Sequence, residues 1–457
     1  MTDTVDSATL SPQSGKPPLR IALAGLGTVG AGVIRLVEAN ADLIARRAGR
    51  PIKVSAVSAR DRGKDRGVDL SPYAWEDDMT AMAARDDVDV VVELVGGSDG
   101  PALVLARNAI RHGKALVTAN KAMIAHHGMA LAKEAEAQGV AMRFEAAVAG
   151  GIPVIKGLRE GAAANRVERL YGILNGTCNY ILSTMERTGR DFADVLAEAQ
   201  ALGYAEADPS FDIEGIDAAH KLAILAAIAF GSRLDFGAMH IAGISRIRAA
   251  DIAQAAALGY VIRLIGIAET EGGETEGADG EAGGTGRLHQ RVQPCLVPRA
   301  HPLAAVDGAT NAVVAEGNFV GRLLFQGAGA GDGPTASAVV ADLIDIARGD
   351  TGAPFSVPVA QLDTLDPADP GHRLGRAYMR LTVADRPGVL AEITAAMRDA
   401  GVSIESLIQQ GRPEEGGEVL VAIVTHGGPE RHVAAALKLL EGSASLAEPP
   451  LVMPLLG

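Results

Sequence analysis

Apolar positions along this chain follow a repeating strand and helix rhythm. Residues 20–24 (RIALA) form a short apolar run that stops at Gly25, and residues 29–45 then repeat apolar side chains at helical spacing. This reads as strand, glycine turn and helix. Further strands are predicted at 52–57, 89–95 and 115–118, with helices at 102–112 and 128–138. The run at 89–95 (DVVVELV) is almost continuously apolar, as in a parallel strand covered on both faces. Alternation at this spacing predicts an α/β domain over 19–149, a doubly wound Rossmann-type parallel sheet. After Gly150 the pattern changes. Long helices at 192–202, 216–230 and 249–258 mix with strands at 167–174 and 288–297, predicting an α+β second domain over 150–329, with 330–350 packing back on the first. Residues 351–375, rich in Pro, Asp and Gly, read as a linker. Beyond it, 378–383, 389–400, 404–409, 418–425, 430–440 and an apolar end near Leu451 predict a ferredoxin-like βαββαβ domain over 376–457.

Composition narrows the function classes. The 457 residues carry a formal net charge of -14, which argues against nucleic acid or an anionic membrane surface as the main partner, because both require basic faces. Cys178 and Cys295 are the only cysteines, so a disulfide framework is excluded. Residues 1–18 lack the basic start and apolar run of a signal peptide and read as a disordered leader. Residues 269–287, acidic and rich in Gly, read as a mobile surface insertion. With no apolar run of bilayer length, a cytoplasmic protein is expected.

Gly25-Leu26-Gly27-Thr28-Val29-Gly30 matches G-x-G-x-x-G directly after a strand and at the start of a helix. Glycines there permit a sharp turn and let a pyrophosphate reach the free N–H groups of the helix. The alternative is a glycine turn with no ligand. The second strand runs into Ser58-Ala59-Arg60-Asp61, with Arg62 and Lys64 beyond. Arg60 favours the 2′-phosphate of NADP, whereas Asp61 leaves NAD open, as does a solvated loop of mixed charge.

Residues 203–221 (GYAEADPSFDIEGIDAAHK) concentrate carboxylates ahead of a lysine. Asp217 and Lys221 are four apart and share one face of the predicted helix 216–230. On a surface such a pair contributes only a few tenths of a kcal/mol. Here the helix is apolar on every side beyond Leu222, so a lysine at its mouth could exchange a proton and the carboxylates could hold a substrate amine.

Seven motifs occur together: GLGTVG, TANK at 118–121, FEAAVAGGIPV at 144–154, LNGTCNYIL at 174–182, GYAEADP, DIEGIDAAHKLAIL, and GAGAGDGPTASAVVADL at 327–343. In their order they resemble the homoserine dehydrogenase family over roughly residues 19–350. The resemblance implies reversible NAD(P)H-dependent reduction of L-aspartate 4-semialdehyde to L-homoserine, in threonine, methionine and isoleucine synthesis. By position, Lys221 resembles the catalytic lysine that exchanges the hydroxyl proton. Glu206 and Asp217 match substrate-binding carboxylates, with Asp212 assisting. Lys121 matches a lysine between substrate and coenzyme. Gly203 and Gly331 match backbone positions beside substrate and coenzyme, and Thr28 and Val29 lie in the phosphate turn. Glu145, Val148, Gly150 and Ile152 resemble a monovalent-cation loop, whose carbonyls and carboxylate suit Na⁺; a plain bend is the alternative.

Asp385-Arg386-Pro387-Gly388-Val389-Leu390 resembles the ACT signature, implying L-threonine feedback, or a domain used only for pairing in a homodimer or homotetramer. Two other readings compete with this one. A phosphorylating semialdehyde dehydrogenase would need an activated cysteine, and Cys178 has no histidine near it in sequence. A retired, non-catalytic sensor would not need the intact glycine fingerprint with Lys121 and Lys221.

Overall fold

The computed structural model describes residues 16–271, 286–410 and 417–457. The predicted leader as far as residue 15, and 272–285 of the predicted insertion, lie outside the described residues. The chain divides into two compact units, one reaching residue 153 and including 330–361, the other formed by 154–329 and 362–457.

The first unit holds strands β1 (Leu19–Ala24), β2 (Ile52–Ser58), β3 (Ala74–Trp75), β4 (Val90–Glu93), β5 (Ala115–Thr118) and β6 (Met142–Arg143). They form one parallel sheet in the order β3-β2-β1-β4-β5-β6. Strand alternation divides the core in two. Ile21, Leu23, Val90 and Val92 pack on one face, whereas Ala22, Ala24 and Val91 pack on the other. The order reverses between β1 and β4, which opens a crevice at the carboxyl ends of those strands.

Two helices differ from expectation. The segment predicted at 29–45 is two helices, Thr28–Ala39 and Ala41–Ala48, because Asn40 leaves helical geometry (φ -114°, ψ 23°). The helix expected at 128–138 already begins at Lys121, where the Asn120 side chain accepts from the Met123 N–H. Within the predicted linker, Phe355 is fully buried with its ring centroid 5.1 Å from that of Phe144.

The second unit is built on β7 (Val167–Ile173), β8 (His240–Ile241), β9 (Tyr260–Glu271), β10 (Arg287–Pro298), β11 (Thr310–Gly317) and β12 (Gly321–Ala328). Their sheet runs β12-β11-β7-β9-β10, with β8 beside β10. Helix Ile216–Phe230 lies on this sheet, and every residue from Asp217 to Ile228 is buried. A Cβ on Gly266 of β9 would press on Leu174 Cδ1 at 3.1 Å and meet the Leu222 methyls of this helix at an ordinary 3.5 Å.

Toward the C-terminus, strands Ile404–Gln410, Glu418–Thr425, Ala377–Ala384 and Leu451–Pro454 pair antiparallel in that order. Met379, Leu381 and Val383 pack with Ile393 and Ala436 from helices Val389–Asp399 and Glu430–Leu440. The alternate residues Tyr378 and Arg380 point the other way, to Asp251 of helix Ala249–Ala257. Arg380 is 2% exposed and Asp251 is completely buried. Tyr378 Oη donates to Asp251 at 3.0 Å, and the Arg248 N–H does so at 2.9 Å. Among the described residues no helix is long and apolar enough to cross a membrane.

Removing one partner of a buried pair strands the other charge. Arg380→Leu should therefore destabilise the second unit by about 3–5 kcal/mol in denaturant unfolding, and a paired Asp251→Leu change should recover much of that loss. A single-variant loss under about 1 kcal/mol would contradict this docking energetics.

Candidate functional site

The glycine turn is shaped by close contacts. Gly25 has φ 99°, and a Cβ on it would lie 2.7 Å from the Leu94 carbonyl oxygen; one on Gly30 would lie 2.1 Å from that of Gly25. Gly27, by contrast, faces open space and precedes the first helical residues, Thr28 and Val29. An anion can thus approach the helix amides there. A cavity of about 810 Å³ begins at this turn and extends past Ser58 to Arg60 and Lys64. Its acids are engaged locally. Asp61 accepts the Gly63 N–H at 2.9 Å, Asp77 accepts from Trp75 Nε1 at 2.9 Å, and Asp78 accepts from both Thr80 N–H and Oγ1. Those Thr80 bonds hold the Asp78 carboxyl below its ordinary range. Among the described residues, Arg60 and Lys64 make no ion pair, so their charge is available to a ligand.

Gly331, at φ 119°, precedes helix Asp332–Arg348. That helix touches Thr28–Ala39 closely enough that a Cβ on Gly32 would stand 2.8 Å from the Asp332 carbonyl oxygen. Sequence reasoning missed a network beside the turn. Glu93, fully buried, accepts from the Val95 and Gly96 N–H groups at 2.7 and 3.0 Å and from Thr118 Oγ1 at 2.6 Å. Asn120 donates to the Gly97 carbonyl at 2.7 Å and caps the helix that Lys121 opens. Glu93, the acid that interrupts the apolar residues of the run 89–95 after Val92, was the available signal.

In the second unit, Lys221 and Asp217 meet as their spacing predicts. Lys221 Nζ donates to Asp217 Oδ2 and to the Leu174 carbonyl, both at 2.8 Å. Their side chains are 10% and 6% exposed. Asn175 joins Asp217 (2.7 Å) to Asp212 (2.8 Å) through its Nδ2, while its Oδ1 accepts the Cys178 N–H at the start of helix Gly176–Thr188. Asn311 from β11 donates to the same Leu174 carbonyl at 2.8 Å. Neither asparagine was singled out from sequence. A small residue at 329 keeps Asn311 in place, since a Cβ on Gly329 would lie 2.1 Å from its amide carbon.

Other expected residues lie differently. Gly203 (φ 78°) and Glu206 occupy the exposed loop after helix Phe192–Ala201, and no hydrogen bond joins the Glu206 side chain to the Lys221 cluster. Cys178 is buried, donates to the Asp212 carbonyl at 3.1 Å, and has its thiol pushed well up by desolvation and then by the neighbouring carboxylates. The expected cation loop is a tight turn in the first unit. Glu145, Val148 and Ile152 are buried, and Ala149 and Gly150 both have positive φ (57° and 51°). The Glu145 N–H donates to Asp342 at 2.9 Å. At the Asp385–Leu390 turn a cavity of about 170 Å³ opens against Gln409 and Val419.

Comparisons with known proteins agree over nearly the whole chain. The family model for the homoserine dehydrogenase NAD binding domain matches residues 25–145, the homoserine dehydrogenase model matches 153–344, and the ACT domain model matches 377–442. The chain is 47% identical to homoserine dehydrogenase from Pseudomonas aeruginosa, covering 93% of this chain and 96% of that protein. With the Neisseria gonorrhoeae protein of the same name the identity is 45%, over 95% and 98% of the two chains. A crystal structure of homoserine dehydrogenase from Thiobacillus denitrificans superposes with a TM-score of 0.87 at 43% identity, covering 96% of this chain and 98% of that one.

The environment of Cys178 makes it a structural thiol. Iodoacetamide at pH 8 should leave it unmodified in the folded protein and label it only after unfolding, as read by peptide mass. Prompt stoichiometric labelling of the native protein at Cys178 would contradict this.

Proposed function

The chain belongs to the homoserine dehydrogenase family, oxidoreductases of amino-acid biosynthesis, and on that premise we propose that Lys221 is the residue that moves the proton. The observation that carries this is the buried ammonium held by Asp217 and the Leu174 carbonyl. When bound, the nicotinamide coenzyme supplies the hydride that reduces the aldehyde of L-aspartate 4-semialdehyde. Lys221 gives its proton to the carbonyl oxygen as negative charge develops there, and takes it back during homoserine oxidation. Asp217 compensates the ammonium, and Asn175 fixes Asp217 so that the donor needs no reorientation. Asp212, Glu206 and the Gly203 backbone are assigned to the substrate amine and its entry loop. Glu206 then acts from the exposed side, through a hydrogen bond made with the substrate.

Lys121 is assigned to coenzyme binding and catalysis, oriented by the Asn120 cap. Gly25, Gly27, Thr28, Val29, Gly30 and Gly331 are assigned to the coenzyme as well. NADP is the favoured coenzyme over NAD. Arg60 and Lys64 line the cavity without an ion-pair partner among the described residues, while Asp61 accepts the Gly63 N–H through Oδ1. A Na⁺ ion is assigned to Glu145, Val148, Gly150 and Ile152. In support, no backbone hydrogen bond among the described residues engages the carbonyls of Val148 or Gly150.

The same proposal includes L-threonine as effector at the Asp385–Leu390 turn, where the amides opening helix Val389–Asp399 suit a carboxylate. A homodimer or homotetramer is supported by β12, a sheet edge with Leu324 43% exposed and Phe319 just before it 90% exposed. Two buried, unpaired thiols suit a reducing cytoplasm.

Initial rates of L-homoserine oxidation test the assignment. Lys221→Ala should lose about 10²–10⁴-fold in kcat while remaining folded. Activity within a few fold of wild type would overturn the proton-transfer role. Arg60→Ala should raise KM for NADP⁺ about tenfold, the loss of one charge-assisted hydrogen bond, with little change for NAD⁺. Equal changes for the two coenzymes would contradict the 2′-phosphate assignment.

A further inference from the structure

The loop that leaves β2 carries Arg60 and Lys64. Residues 59–73 separate β2 from β3, with Gly63 and Gly67 (φ 66°) among them. Three aspartates turn the loop locally: Asp61 accepts the Gly63 N–H, Asp65 that of Gly67, and Asp69 that of Ser71. None of these bonds reaches outside the loop. Arg66 does. Its Nε donates to the Leu26 carbonyl, in the middle of the glycine turn, at 2.9 Å. Its Nη1 donates to the Lys64 carbonyl at 2.6 Å, and its Nη2 to the carbonyl of Asp61, the residue after Arg60. Among the described residues, the bond to Leu26 is the hydrogen bond that ties residues 60–67 to the rest of the chain. The guanidinium carbon of Arg66 lies 5.9 Å from the centre of the Trp75 ring on β3, and that of Arg62 lies 5.6 Å from it. Trp75 is held in turn by the bond from its Nε1 to Asp77. Arg66 makes no ion pair among the described residues, so carbonyls and an aromatic face answer its charge.

Resting on the reading that Arg60 and Lys64 meet the 2′-phosphate of NADP, we propose that Arg66 is a positioning residue that sets coenzyme preference. It grips the backbone at Lys64 and beside Arg60, and fixes both to the phosphate turn. One planar group bridges the two ends of the site. Leu26 stands where the pyrophosphate is held, and Asp61 and Lys64 stand where the 2′-phosphate is met. A guanidinium can do this because its fork presents N–H groups in several fixed directions, whereas an ammonium on a flexible stem is a single point of charge. Without the bridge, the loop is ordered only when coenzyme binds, and the lost backbone freedom is charged against affinity. NAD has no 2′-phosphate, makes no use of Arg60 and Lys64, and escapes that cost.

Arg66→Lys and Arg66→Leu test this in the full-length protein, in homoserine oxidation with NADP⁺ and with NAD⁺. Both variants should raise KM for NADP⁺ about tenfold, with KM for NAD⁺ and both kcat values within about twofold of wild type. Lysine, which keeps the charge, should restore nothing. In the double variant Arg60→Ala with Arg66→Leu, KM for NADP⁺ should stay well below the product of the two single effects, because both changes remove the same contact. Trp75, the one tryptophan of the chain, reports on the loop without coenzyme. Acrylamide should quench its fluorescence more strongly in both Arg66 variants than in wild type. Recovery in Arg66→Lys, or single effects that multiply in the double variant, would make Arg66 a direct phosphate ligand and overturn the proposal. Equal rises for the two coenzymes, no rise, or unchanged quenching would overturn it too. If Arg60→Ala discriminates between the coenzymes and Arg66→Lys does not, this inference alone falls; if Arg60→Ala does not discriminate, the 2′-phosphate reading falls and takes this inference with it.

Discussion

A lysine ammonium buried within an apolar helix must have its charge answered on the spot, and the second unit is arranged around that requirement. Between Asp217 and Ile228 every residue of helix Ile216–Phe230 is buried, so little water is at hand to stand in for a missing partner. Removing an ion from water costs several kcal/mol even after relaxation, which only close and well-aimed acceptors offset. Lys221 has two such acceptors, and each is fixed by a further group. Asn175 holds Asp217, and Asn311 shares the Leu174 carbonyl. These groups come from the end of β7, from β11 and from the helix itself. The sheet register, and Gly215 where the helix starts against β8 and β10, are thus conditions for the charge to exist there.

The first unit applies the same logic with the opposite sign. Glu93 is a fully buried carboxylate, and its oxygens accept from two backbone amides and one hydroxyl. That arrangement ties the loop after β4 to the residues that begin the Lys121 helix. The seam between the C-terminal domain and the second-unit core repeats the device, with Asp251 accepting from Arg380, Tyr378 and a backbone amide. Buried charges are weak stabilisers compared with apolar packing, yet they define orientation strongly because a misaligned partner is so unfavourable.

Much of this is legible in the amino-acid sequence. Periodicity located the parallel sheet, the lysine helix and the βαββαβ end, because each alternates apolar residues at the spacing its geometry imposes. The i,i+4 relation joined Asp217 to Lys221. Asn175 and Asn311 were not legible in the same way. Asn311 lies 137 residues from the carbonyl it binds, and a single asparagine in a strand carries no periodic signal. Arg380 and Asp251 were hidden for the same reason. Phe355 stands among Pro and Gly, a composition that reads as linker, although its ring is core. Glu206, by contrast, is singled out by resemblance alone, and no hydrogen bond among the described residues ties it to the cluster.

The central claim is that Lys221 transfers a proton, beyond merely filling a charged niche. Chemical rescue of Lys221→Ala by small primary amines tests it most directly, because the truncation leaves room beside Asp217 for an exogenous ammonium. The account predicts that homoserine oxidation recovers in proportion to amine concentration, and that the rescued rate follows amine basicity among amines of similar size. Rescue independent of basicity, or none with any amine while substrate and coenzyme still bind, would contradict it.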